Sequence, residues 1–200
     1  MKRIMLLPLS MLLILIGCAS PSTTPADTVS PGSGGLTIAF DFQKQSGHAS
    51  NQFAVWIGDA DGNYIKTLYA TRFTANGGYK NRPESIPVWV EKSGLAYMNN
   101  IDAVTEATPK SGQLTYSWDL TDQSGSAVPD GSYMFFVEGS LRWRNRILYS
   151  GVIEIGGEAV TVTAEAEYFF EAAPGQPALT ADSPELGMIV EVTAEYTPPA

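Results

Sequence analysis

Apolar and polar residues alternate along most of the chain from residue 36 onward, with the period of half-buried strands. Leu36, Ile38, Phe40 and Phe42 share one face of a first strand over 36–42. Strands over 53–57 and 64–69 flank Asp59-Ala60-Asp61-Gly62-Asn63, whose Asp-Gly step is a hairpin signal. Further strands are expected over 86–90, 114–118, 132–141, 147–155, 160–170 and 188–196. In the stretch 160–170, Val160, Val162, Ala164, Ala166 and Tyr168 face one way, with Thr161, Thr163, Glu165 and Glu167 opposite. No segment carries a sustained helical period; only 96–108 leaves room for a short helix. Glycine and proline punctuate the boundaries. Eight to nine short strands of this kind predict an all-β fold, an antiparallel immunoglobulin-like β-sandwich, over 36–200. Trp56, Trp89 and Trp118 are expected in its core.

The first 35 residues read differently. Lys2 and Arg3 precede an apolar run from Ile4 to Ile16, broken only by Pro8 and Ser10. That run is too short to span a bilayer and has the layout of a cleaved export signal over 1–17. Its end, Leu15-Ile16-Gly17-Cys18, resembles the lipobox of bacterial lipoproteins. The resemblance implies that Cys18 is acylated and becomes the mature N-terminus, a membrane anchor. Cys18 is the only cysteine, so no internal disulfide is available to the exported domain. Ala19 stands where an Asp would favour inner-membrane retention, so the resemblance implies the outer membrane, facing the periplasm. Residues 19–35, ASPSTTPADTVSPGSGG, have little to bury and are expected to form a disordered tether.

Charge narrows the partners. Without Lys2 and Arg3, 10 basic residues stand against 21 acidic ones, a net charge of −11. Such a chain is a poor ligand for nucleic acid or for an anionic lipid surface. His48 is the only histidine, so a Ser-His-Asp triad would have to use it. Asp59, Asp61 and Asn63 alternate as the oxygens of a calcium loop do, but the twelfth position is Ala70 where an EF-hand needs Glu. A hairpin turn is the simpler reading. Arg142, Arg144 and Arg146 alternate in an otherwise acidic chain. On a continuous strand they share a face; around a turn at Arg144-Asn145 they splay. As a group they suit an anionic partner or a cofactor's phosphate; the simpler reading is a solvated hairpin that offsets nearby Glu residues.

Two family resemblances follow from these residues. Trp118-Asp119, the turn at Gly125, and Pro129-Asp130-Gly131-Ser132-Tyr133 resemble the immunoglobulin-like domain of flagellar hook-capping proteins, which bears on fold alone. Phe53-Ala54-Val55-Trp56-Ile57, Asp61-Gly62-Asn63-Tyr64, Pro87-Val88-Trp89, Asp102-Ala103-Val104-Thr105 and Arg142-Trp143-Arg144-Asn145-Arg146 more closely resemble domain of unknown function 2271, a family of predicted periplasmic proteins. That family implies localisation and leaves the chemistry open.

One further motif bears on chemistry. Asp102-Ala103-Val104-Thr105-Glu106-Ala107-Thr108 resembles the flavinylation motif of extracytoplasmic proteins. The resemblance implies FMN joined through its phosphate to Thr108 by an FMN transferase, with Asp102 and Thr105 in the recognition sequence. Glu106 departs from the small residue usual there. Two roles therefore stand: a non-enzymatic accessory or binding lipoprotein of the envelope, and a flavinylated electron carrier that exchanges electrons with a membrane redox protein. A carboxylate-only enzyme such as a glycosidase is a distant third.

Overall fold

The computed structural model describes residues 34–47, 50–95 and 105–200; Cys18, His48 and Asp102 lie outside them. The alternation at 36–42 becomes β1 (Gly35–Phe42), with Leu36, Ile38, Phe40 and Phe42 all buried. β1 lies inside a four-stranded sheet between β5 (Gly112–Trp118) and β10 (Ile189–Thr197), and β10 carries β8 (Val160–Thr163) on its other side. The facing six-stranded sheet runs β4 (Thr105–Glu106), β3 (Tyr64–Thr71), β2 (Gln52–Asp59), β6 (Gly131–Arg142), β7 (Asn145–Ile155), β9 (Glu165–Phe169). All pairings are antiparallel except the two-residue β3–β4 ladder. The fold is an all-β sandwich, as the alternation predicts.

Register defines two ends. Gly35 pairs with Thr197, and Leu36 with Trp118. Trp118 meets the Tyr133 ring edge-on at 5.2 Å, and Tyr133 pairs with Asp59. The chain thus enters at the pole carrying the β2–β3 turn and the loop 119–130. The far pole holds Phe42, Gly112, Ile189 and the β6–β7 turn. At the entry pole the Tyr133 hydroxyl donates to the Pro129 carbonyl at 2.6 Å. This is the tyrosine-corner lock of immunoglobulin-like sandwiches.

The inter-sheet core contains Trp118 and an aromatic group around Phe53. Trp56 and Trp89 are equally buried but lie in a second core, with Ala54, Ala70, Ile86 and Phe136. That core sits on the opposite face of the six-stranded sheet, under residues 72–95. This explains why β2 is buried on both faces rather than alternately. The expectation of one shared core for the three tryptophans therefore holds only for Trp118.

Two other expectations are corrected. The apolar run 86–90 is not a strand: after α1 (Arg72–Ala75) the covering segment forms α2 (Pro87–Lys92). Pro87 sits in the first turn, where its missing N–H costs nothing, and Ile86 and Trp89, three apart, point down onto the sheet. The stretch 160–170 is two strands, not one. It leaves the four-stranded sheet at Ala164, whose N–H still reaches Val192, and joins the other sheet as β9. Crossing between sheets at a corner is a normal device of sandwiches. Both β8 and β9 are edge strands. Tyr168 and Phe170 pack ring to ring there at 5.8 Å while remaining well exposed. The helix allowed within 96–108 is a strand at Thr105–Glu106, and 96–104 lies outside the described residues.

Candidate functional site

A fully buried carboxylate lies under the cover of the second core. Glu138 of β6 is fully buried, on the sheet face opposite the inter-sheet core. Ile86 adopts a left-handed φ of 42°, a costly conformation for a β-branched residue. It is held there by its N–H donating to Ser140 Oγ at 2.7 Å and by complete burial of its side chain. The turn aims the next two free amides at Glu138. The Val88 N–H donates to Oε1 at 3.2 Å and the Trp89 N–H to Oε2 at 2.8 Å. Neither amide has a partner inside α2, so the carboxylate fills the need of a helix start.

Other polar side chains under the cover bond one another, and among the described residues Arg146 alone adds a charge beside Glu138. The indole N–H of Trp89 donates to Thr67 Oγ1 at 2.9 Å, and Thr67 in turn bonds the Tyr64 hydroxyl. Thr74 and Ser85 share a 2.6 Å hydroxyl pair, and Thr74 also donates to Gln52 Oε1. The Arg146 Nε lies 3.8 Å from Glu138 Oε1, an ion-pair distance too long for a hydrogen bond. Its guanidinium also stacks over the Phe169 ring at 4.0 Å. Burial pushes the Glu138 carboxyl up to about 7, against the pull of the Trp89 and Val88 amides and of Arg146. The arrangement anchors the cover to the sheet and holds a proton-accepting group out of water.

The arginines resolve as the turn alternative. β6 ends at Arg142 and β7 begins at Asn145, with Trp143 left-handed at φ 52° between them. The three side chains splay onto three carboxylates. Arg142 meets Glu185 at 2.9 Å, Arg144 meets Glu171 at 2.6 Å, and Arg146 meets Glu138. The Asp59–Asn63 stretch is likewise a turn: Asp59 Oδ1 accepts the amides of Asp61 and Asn63 at 3.0 and 2.8 Å.

Thr105 is buried in β4, with its backbone opposite Ala70. Thr108 is half-buried on the irregular stretch 107–111 that links the edge of one sheet to the edge of the other. The neighbouring Ala107 carbonyl accepts the Tyr69 hydroxyl at 3.3 Å. The Tyr69 and Tyr116 rings stand 4.8 Å apart, burial raises both hydroxyls well above the usual range, and Glu106 reinforces the effect. Arg72 lies close enough to act on the Tyr69 hydroxyl in the opposite sense. Although Thr108 and the arginine turn share the far pole, they are not brought together. β3 and β2 separate β4 from β6, about 14 Å at the usual strand spacing. Arg72, directly after β3, is a cation near this stretch that the spacing of the chain does not single out.

The family described as Predicted periplasmic protein (DUF2271) matches residues 35–172. The match covers β1 to β9 and the cover over Glu138, and stops short of β10. No curated protein and no solved structure matches the chain. With more than half of its length matched, the chain belongs to the DUF2271 family of predicted periplasmic proteins.

Proposed function

We propose that this protein is a lipid-anchored, non-enzymatic binding or accessory domain of the bacterial envelope, tethered through Cys18 to the outer membrane and facing the periplasm. The observation that carries the reading is the place where the chain enters the fold. Gly35 begins a core strand directly, in the interior of the four-stranded sheet. The residues between Cys18 and Gly35 would hold the domain roughly 20 Å from the lipid as a flexible chain. The entry pole would face the membrane, and the far pole, with the arginine turn and Thr108, would face outward. The family's periplasmic description supports the compartment. In membrane fractionation the wild type is expected in the outer membrane, with incorporation of a palmitate analogue. Cys18→Ser is expected to lose the label and to leave that fraction. If Cys18→Ser fractionates as the wild type does, the anchor is wrong.

A second reading has its own observation. Thr108 sits on an irregular, partly exposed stretch beside paired tyrosine rings, a setting that a modifying enzyme can reach. In that reading Thr108 carries FMN through its phosphate, and a membrane redox protein and an FMN transferase are the partners. The flavin would supply the electron chemistry and the protein its position. Arg72 and Glu106 act on the neighbouring Tyr69 hydroxyl in opposite senses. Coexpression with an FMN transferase is expected to add one FMN to the intact mass, with yellow colour, and Thr108→Ala to abolish both. An unmodified, colourless wild type would remove this reading and leave the first untouched.

A further inference from the structure

At the entry pole a cleft of about 620 Å³ opens between the β2–β3 turn and the loop 119–130. Its body is apolar and aromatic: Ile65, Val128, Pro129 and the rings of Tyr64 and Tyr133. Asp59 and Asp122 supply its charge, and no lysine or arginine lines it.

The walls are fixed before any ligand arrives. The Gln123 amide donates to the Ile65 carbonyl at 3.2 Å, tying the loop to β3. The Tyr64 hydroxyl donates to Gln123 Oε1 at 2.9 Å. The Val128 amide donates to Leu120 at 2.9 Å, and the Tyr133 hydroxyl locks Pro129 from below. A cleft already in its binding shape loses little entropy on occupation.

The two carboxylates are held as anions. Hydrogen bonds from Asn63, side chain first, keep Asp59 below the usual carboxylate range. The Ser124 hydroxyl and the Ser126 amide do the same for Asp122. The Ser124 hydroxyl, Ser124 amide and Ser126 amide bonds, at 2.6, 2.8 and 3.0 Å, land on Oδ1, and the Gly125 amide adds to the pull on the carboxylate. Oδ2 is left for another donor. Of the nearby cations, Lys66 is paired with Asp119 at 2.7 Å, while Lys92, on the Gly62 carbonyl at 3.0 Å, offsets part of the Asp59 charge and leaves Asp122 as the unpaired carboxylate of the cleft.

We propose that this cleft binds a small organic cation with an apolar body, its ammonium at Asp122 and its body against Ile65, Val128 and the two tyrosine rings. A charge-assisted bond to a carboxylate fixes one end, and the apolar and aromatic wall takes the rest. An anion of the same shape is repelled. The site gives the binding role proposed above a ligand class, but does not require the lipid anchor.

The test uses the full chain purified in detergent, with phenethylamine as probe and phenylacetate as its charge-reversed counterpart. Saturable shifts of the Gly62, Gln123 and Ser126 amide resonances are expected with the amine and not with the acid. Asp122→Asn keeps an Oδ1 acceptor for the turn and should weaken amine binding about threefold, the loss of one solvent-exposed charged contact. Absence of saturable shifts with the amine, equal binding of phenylacetate, or undiminished binding by a folded Asp122→Asn each overturns the proposal. Should that variant misfold, the comparison of the two probes on the unaltered protein decides. Loss of membrane anchoring in Cys18→Ser has no bearing on these outcomes, so the two readings fail separately.

Discussion

Glu138→Ala is expected to lower stability by about 3 kcal/mol and to free the cover over the second core before the sheets themselves open. The side chain is fully buried and accepts two amides, so its loss leaves the Val88 and Trp89 N–H groups buried without acceptors. Arg146 loses its carboxylate but keeps the Phe169 ring and partial access to water, which limits the damage. Hydrogen exchange should therefore show early loss of protection over 86–92 while β6 and β7 remain protected. Uniform loss of protection would mean that the cover and the sheet form one cooperative unit.

The same residue sets a pH dependence. In the unfolded chain its carboxyl titrates near 4.5; burial in the fold pushes it up to about 7. The folded domain therefore holds the proton more tightly than the unfolded chain does. The stabilising contribution of this group is fully present below pH 4.5 and is lost as the pH rises through about 7. That difference corresponds to about 3 kcal/mol across the window. Glu138→Gln cannot titrate, so its denaturation midpoint should lack this component of the fall seen in the wild type. Parallel curves for the two proteins would show that Glu138 does not titrate in this window.

Phe53→Ala is expected to be the most damaging substitution in the inter-sheet core, at about 3–5 kcal/mol. Phe53 has no exposed surface. Its ring meets Phe40 at 5.7 Å, Phe42 at 5.1 Å, Tyr69 at 4.8 Å and Tyr116 at 6.3 Å. Phe40 and Phe42 belong to β1, Tyr116 to β5 and Tyr69 to β3, so a single ring joins the two sheets near the far pole. The void left by alanine cannot be closed by one neighbour, because each neighbour is pinned by others. For a domain of this size the loss corresponds to a fall in Tm of about 10 °C. Truncation of exposed Val152, by comparison, should be nearly silent, and thermal unfolding monitored by circular dichroism separates the two.

The strands were legible where one face meets the core and the other meets solvent, as in β1. They were less legible where a second layer intervenes. The 86–90 run reads as a buried strand because a short apolar run has no period long enough to distinguish the two forms, and only Pro87 signals a helix start. Alternation in β6 sends Glu138 away from the inter-sheet core, which reads as solvent-facing. Its true surroundings come from a segment about fifty positions earlier, a pairing that no local pattern encodes. The break at Ala164 was hidden for a different reason: the alternation continues unchanged while the hydrogen-bonding partner switches. Among the candidate residues, the arginine spacing fitted both strand and turn. Only the left-handed backbone at Trp143 separates the alternatives.

The six-stranded sheet ends on β9, a largely exposed edge strand whose outer amides and carbonyls have no sheet neighbour among the described residues. Such a border invites a strand from another molecule, and with it polymerisation in register after register. Glu165 and Glu167 alternate along it. Two copies meeting border to border would bring like charges together. Resistance to fibre growth at this border therefore rests on two carboxylates and a short length, a slender safeguard.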